Sequence, residues 1–217
     1  MTSRQEILSR IEASGIVAVI RADNAEQAVQ TCRALAAGGV IAWEIAMTTP
    51  GALRAIERVA DELGDQGLPG VGTVLDTETA VAAVHAGAQF VFAPIIEPKV
   101  IEAVHRYDRV MVPGGLTPTE IATAWAAGAD LVKVFPANHF GPQYFRDLQG
   151  PLPQVRLTPT GGVDLTTGAA WIRAGAVALG VGSSLVKRDY IRNQQWDRLS
   201  QLAAEFIQLV TTARSAD

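Results

Sequence analysis

Residues 125–135, Trp-Ala-Ala-Gly-Ala-Asp-Leu-Val-Lys-Val-Phe (WAAGADLVKVF), hold a helix end, a glycine and a short apolar strand in one run. Three other segments repeat the pattern: LAAGGVIAWEI (35–45), VHAGAQFVFAP (84–94) and IRAGAVALGVG (172–182). Their glycines are Gly38, Gly87, Gly128 and Gly175. Glycine just past a helix reaches the left-handed conformation without steric cost. The glycines recur 41 to 49 residues apart. That interval is too long for one strand–helix unit and right for two.

The missing strands lie between the repeats: GIVAVI (15–20), GVGTVL (70–75), RVMVPGG (109–115) and RLTPTGG (156–162). Helical patterns separate them, and several open on Asp, Asn, Thr or Pro, which suit helix N-termini. The pattern predicts eight strands, each followed by a helix, with an extra helix over the amphipathic start MTSRQEILSRIEASG (1–15). Strands alternating with helices form parallel sheets. Eight units in 217 residues fit a small (β/α)8 TIM barrel with an extra N-terminal helix. An open doubly wound sheet is the alternative, but the chain has no G-x-G-x-x-G fingerprint. No composition shift or linker divides it, so residues 1–217 are expected to form one domain.

The chain is 48% hydrophobic and 18% charged, with net charge −4, as in ordinary globular proteins. The slight acidity argues against nucleic acid as a partner. No segment is long and apolar enough to span a membrane, and the polar start is unlike a signal peptide. A single cysteine, Cys32, excludes an intrachain disulfide and reads as core. The cytoplasm is the expected compartment.

A barrel of this kind carries its active site at the C-terminal strand ends. Polar residues near those ends are therefore the candidates. They are Arg21 on the first strand, Glu44 on the second, Thr73 on the third, Lys133 on the sixth, and Thr158 and Thr160 on the seventh. Lys133 and Glu44 are the least expected, because lone charges rarely enter apolar strands. They need each other or a shared ligand. A buried ion pair between them would stabilise the fold only weakly, since desolvation offsets the attraction. The functional reading makes more of them. Burial disfavours the charged amine, and a neutral amine attacks a carbonyl to form a Schiff base. Glu44 could then move protons.

The seventh and eighth strands run into TGGV (160–163) and GVGSS (180–184). Gly161, Gly162, Gly182 and Ser183 are expected to present backbone N–H groups at helix starts, as a phosphate site. His85 and His105 fall in helices as ordinary packing or solvated residues; His139 follows the Lys133 strand and is within reach of the site. The tryptophans read as packing. No Cys/His/carboxylate spacing suggests a metal, and no cofactor is expected.

Taken together, these segments resemble the 2-keto-3-deoxy-6-phosphogluconate / 4-hydroxy-2-oxoglutarate aldolase family over nearly the whole length. GADLVKVFPANHFG (128–141) is similar to its Schiff-base motif, GGVIAWEI (38–45) to the segment around its glutamate, and GVGTV (70–74) to its third strand. PTGGV (159–163) and GVGSSL (180–185) resemble its phosphate site. The resemblance implies a metal-independent class I aldolase and a homotrimer. It implies that Lys133 forms the Schiff base and that Glu44 shuttles protons. Arg21 would hold the ketoacid carboxylate, and Thr73 and Thr160 would position the substrate. Gly161, Gly162, Gly182 and Ser183 would bind phosphate. Gluconate-type members have Thr-Leu-Arg-Thr after the glutamate and its neighbour. Here the run is Ala46-Met47-Thr48-Thr49, so Thr48 replaces an arginine and the substrate stays open. The favoured substrate is a phosphorylated ketoacid, 2-keto-3-deoxy-6-phosphogluconate, giving pyruvate and glyceraldehyde 3-phosphate. Cleavage of 4-hydroxy-2-oxoglutarate or of a phosphogalactonate-type acid is the alternative. A phosphosugar isomerase or epimerase, or a barrel that only binds, is the reading from a different class.

Overall fold

The structure, a computed structural model, describes residues 2–215. In chain order the first half contains α1 (Arg4–Ser14), β1 (Ile16–Ile20), α2 (Ala25–Ala37), β2 (Ala42–Ala46), α3 (Ala52–Leu63), β3 (Leu68–Gly72), α4 (Thr77–His85) and β4 (Phe90–Phe92). The second half contains α5 (Pro98–Arg106), β5 (Val110–Val112), β6 (Gly114–Gly115), α6 (Pro118–Ala126), β7 (Val132–Val134), a 3-10 turn (Ala137–His139), α7 (Gln143–Gln149), β8 (Leu157–Pro159), α8 (Gly168–Arg173), β9 (Leu179–Val181), α9 (Arg188–Arg192) and α10 (Trp196–Arg214). Every strand pairing is parallel. One curled sheet has the order β5-β4-β3-β2-β1-β9 and a second has β6-β7-β8. They meet at Pro113, which separates β5 from β6, and at the bridges Leu157↔Ala176 and Thr160↔Gly180.

Period-two alternation sorts each strand into two faces. Ile16, Ala18, Ile20, Trp43, Ile45, Val71, Val91, Met111, Val132 and Val134 point outward into a core shared with the helices. Val17, Ala42, Leu68, Phe90, Phe92, Val110, Val112, Leu131 and Ala178 share a second core with Ile7, Leu8 and Ile11 of α1. The N-terminal helix thus covers the lower, N-terminal ends of the strands. Two positions further along the same face come Val19 from Val17, Glu44 from Ala42 and Lys133 from Leu131. The alternation that buries the lower layer therefore brings the lone carboxylate and the lone ammonium onto one concave surface.

The helix ends follow their sequence signals. Ser3 and Thr117 make capping boxes with Glu6 and Glu120, and Asn24 and Asp76 cap α2 and α4 through their side chains. Gly87, Gly128 and Gly175 take positive φ, at 104°, 97° and 93°. Gly38 departs from the expectation: its φ is −89°, and the turn is made by Gly39 at 88°. Gly38 answers to packing instead, because a Cβ there would lie 2.3 Å from the Ser200 carbonyl oxygen of α10. The third strand also differs from expectation. It runs from Leu68 to Gly72 rather than over 70–75, so Thr73 lies just beyond it. The predicted fifth strand is broken, since Pro113 has no N–H to give to a ladder. Its carbonyl still accepts from the Lys133 amide at 2.9 Å.

Candidate active site

Lys133 sits in the middle of β7, between Gly114 of β6 and Thr158 of β8. It is 5% exposed. Its Nζ lies 5.0 Å from the ring centroid of Phe135 and 5.7 Å from that of Phe92. Two aromatic faces can hold the ammonium, while leaving the nitrogen lone pair of the neutral form without a protein hydrogen-bond competitor. Glu44, on β2 beside Val19 and Gly70, is 1% exposed. Its Oε2 is buried without a hydrogen-bond partner. Burial pushes its carboxyl above the ordinary range, and the charges of Lys133 and Arg21 only partly oppose that shift. Among the described residues, Glu44 and Lys133 form no ion pair at 4.0 Å or less. The structural ion pair considered from the sequence is therefore absent. What remains is a pair of buried groups, the charge of Lys133 acting on Glu44 without a direct ion pair.

A cavity of about 630 Å³ opens on this face. Arg21, Lys133, Thr160, Gly161, Gly162, Gly182 and Ser183 all line it. Seven residues singled out from sequence, drawn from the loops after three strands and from β7 itself, thus converge on one space. Arg21 lies one residue past β1 and is exposed. Thr160, 6% exposed, keeps a buried Oγ1 without a hydrogen-bond partner. The Thr158 hydroxyl is already used, donating to the Ala178 carbonyl at 2.9 Å, so Thr158 is structural.

Glu44 and Thr73 are not among the residues lining the cavity. Glu44 is deeper, and Thr73 stands at the end of the neighbouring strand with φ of 62°. A β-branched residue in the left-handed region is a strained outlier, of a kind that clusters at functional sites. His139 is exposed on the 3-10 turn and lines no part of the cavity. His105 is committed to Asp130, with Nε2 3.0 Å from Oδ2, and His85 packs edge-on against Tyr107. Thr48 is exposed on the turn after β2 and lines a separate hollow with Arg54.

The glycine loops depart from expectation in one respect. Neither opens directly into a helix: α8 begins only at Gly168 and α9 only at Arg188. Gly161 and Gly162 instead have φ of 97° and 71°. Residues 182–186 make an isolated turn closed by Val186 N–H donating to the Gly182 carbonyl at 2.8 Å. The amides of Gly162, Val163, Ser183 and Ser184 donate to no backbone carbonyl among the described residues. Turns of this kind make anion-binding concavities as helix N-termini do. At Gly182 a Cβ would meet nothing within 4 Å, because the space beyond it is open cavity.

Sequence reasoning missed Asp164, Thr166, Ser184 and Lys187, which also line the cavity. All four sit on loops, where no strand or helix period marks an inward position. Asp164 holds its own turn together. Its Oδ1 accepts from the Thr166 and Thr167 amides, each at 2.9 Å, and from both hydroxyls. No group of three or more His, Cys, Asp or Glu that could hold a metal occurs among the described residues. No described helix is long and apolar enough to cross a membrane.

This geometry can be compared with known proteins. Residues 7–202 match the family described as KDPG and KHG aldolase. The chain is 35% identical over 193 residues to the 2-dehydro-3-deoxy-6-phosphogalactonate aldolase of Escherichia coli (strain K12), covering 88% of this chain and 92% of that one. It is 31% identical to the KHG/KDPG aldolase of the same organism, covering 95% and 96%. The KDPG aldolase from Legionella pneumophila, solved with pyruvate captured as a covalent carbinolamine intermediate, superposes with a TM-score of 0.85 at 27% identity, over 94% of this chain and 97% of that one. On the match of most of its length, the chain belongs to the KDPG and KHG aldolase family and is a lyase.

Proposed function

We propose that this enzyme cleaves a 2-keto-3-deoxy-6-phospho sugar acid, 2-keto-3-deoxy-6-phosphogluconate first, to pyruvate and glyceraldehyde 3-phosphate through a Schiff base on Lys133. The observation that carries this reading is the placement of an unpaired buried lysine and an unpaired buried glutamate on one concave face. We read the fold as an eight-stranded (β/α)8 barrel with β5 and β6 as halves of one strand; the isolated bridges Leu157↔Ala176 and Thr160↔Gly180 between the two sheets support that reading. On this reading residues 1–217 are a single domain.

In the proposed sequence Lys133 Nζ attacks C2 of the ketoacid. The carbinolamine loses water and leaves an iminium, which withdraws electrons from C3. Glu44, as carboxylate, takes the proton of the C4 hydroxyl. The C3–C4 bond breaks, its electron pair forms the enamine, and the aldehyde leaves. Glu44 then returns the proton to C3, and water hydrolyses the iminium to release pyruvate. One carboxyl can serve both steps by taking the proton from the C4 hydroxyl as base and returning it to C3 as acid. Arg21 holds the ketoacid carboxylate, Thr73 and Thr160 position the chain, and Gly161, Gly162, Gly182 and Ser183 receive the phosphate. No step needs a metal or a cofactor. A homotrimer in the cytoplasm fits the family resemblance, and one superposing structure is a protein cage designed by fusing symmetric oligomeric domains.

The relative at 35% identity favours a second reading, in which the C4 epimer, 2-keto-3-deoxy-6-phosphogalactonate, is the substrate. The test is kcat/KM for both phosphorylated epimers, for 2-keto-3-deoxygluconate and for 4-hydroxy-2-oxoglutarate. A phosphorylated acid should exceed its unphosphorylated form by at least about tenfold, equal to about 1.4 kcal/mol. Equal efficiency toward 4-hydroxy-2-oxoglutarate would overturn the phosphate assignment and promote the unphosphorylated substrate. A higher value for the galactonate epimer would select the second reading.

A further inference from the structure

Three cations line the cavity: Arg21, Lys133 and Lys187. The first two act electrostatically on Glu44, and Lys187 is not among the groups that do. It belongs to the other end, four residues after Ser183 on the loop that also carries Gly182 and Ser184. The single carboxylate lining the cavity, Asp164, spends its Oδ1 on its own turn. Lys187 has no ion-pair partner at 4.0 Å or less among the described residues. Its Nζ is instead set over the Tyr190 ring, 5.6 Å from the centroid. Arg198 Cζ lies 4.7 Å from the centroid of the same ring.

We infer that Lys187 is the cation of the phosphate end, binding the terminal phosphate together with the amides of Gly162, Val163, Ser183 and Ser184. The inference rests on the substrate reading above and adds to it a residue and a charge. Backbone amides supply only partial positive charge, whereas a phosphate monoester near pH 7 carries close to two negative charges. A full cation beside the unpaired amides makes the charge balance reasonable. Lysine binds phosphate as a point charge, and a tether to an aromatic ring reduces the freedom lost on binding. Lys187 lies on the loop rather than on a strand, and it is not among the charges that act on Glu44.

The experiment is titration of the full chain with inorganic phosphate at fixed ionic strength, followed calorimetrically. Lys187→Met should weaken phosphate binding about 10- to 100-fold, the range of one hydrogen bond to a charged group. Lys187→Arg should restore most of it. In steady state, Lys187→Met should lower the ratio of kcat/KM for phosphorylated over unphosphorylated ketoacid by a similar factor, mainly through KM. Wild-type phosphate affinity in Lys187→Met would overturn the inference, as would equal losses on both substrates. The two readings fail separately. If Lys187→Met weakens phosphate binding while wild type shows no preference for phosphorylated acids, the substrate reading falls and the anion role stands. If wild type prefers them but Lys187→Met binds phosphate normally, the role of Lys187 falls and the substrate reading stands.

Discussion

Gly72 lies directly against the Glu44 carboxylate: a Cβ on Gly72 would stand 1.9 Å from Glu44 Oε1 and 2.5 Å from Cδ. The missing side chain on β3 is the space that the carboxylate of β2 occupies. Gly72→Ala therefore has to displace the glutamate. The backbone at Gly72 is not among the positive-φ positions, so alanine is compatible with the strand. We expect the variant to fold and to lose on the order of 10²-fold in kcat, the lower range for a misplaced general acid–base. Circular dichroism and steady-state kinetics check both halves of this expectation. A fully active Gly72→Ala would mean that the carboxylate does not work from this position.

Glu44 gives a prediction about stability as well as rate. Burial raises its pKa above the ordinary 4.5, so the folded state holds this proton more tightly than the unfolded chain does. The resulting contribution is fully present below about 4.5 and is lost as pH rises through the raised folded value. Glu44→Gln cannot titrate and escapes that loss. Its Tm relative to wild type should increase from pH 4.5 upward and then level off. Turnover should fall by about 10²–10⁴. A Tm difference that is flat across this pH range would contradict the assigned burial, and near wild-type turnover would move proton transfer to another group.

Thr160 tests the difference between a structural and a functional hydroxyl. Its buried Oγ1 has no hydrogen-bond partner, and a Cβ at Gly180 would lie 2.1 Å from it. The glycine makes room for a hydroxyl that the protein itself does not use. Thr160→Val removes an unsatisfied polar atom at nearly constant volume, so thermal stability should hold or rise. If the hydroxyl meets substrate, kcat/KM should drop about tenfold. Loss of stability without loss of activity would make Thr160 a packing residue.

Much of this arrangement was legible in the chain because it rests on local rules. Gly87, Gly128 and Gly175 report left-handed turns that few other residues adopt, and they recur with the double strand–helix unit. Lys133 and Glu44 stand out because period-two burial leaves no polar position inside an apolar strand. The rest depends on long-range placement. Nothing near Thr73 in sequence reveals its positive φ, which follows from the chain leaving β3. Lys187 and Asp164 lie on loops, where side-chain direction has no period, and only the folded turn aims them at the cavity. The separation of Glu44 from Lys133 is also invisible in sequence, because it depends on the width between β2 and β7. Gly38 looked like a turn residue and turned out to be a contact residue, since α10, more than 150 positions later, packs on it.

The central claim is that Lys133 is the nucleophile, and borohydride trapping tests it most directly. The protein is incubated with pyruvate, reduced with borohydride, digested and mapped by mass spectrometry. The account predicts one reduced pyruvate adduct, on Lys133 and on neither Lys99 nor Lys187. Lys133→Met, an apolar chain of similar length for a buried site, should fold, form no adduct and show no turnover. An active, pyruvate-treated sample with Lys133 unmodified, or an adduct on another lysine that accompanies loss of activity, would contradict it.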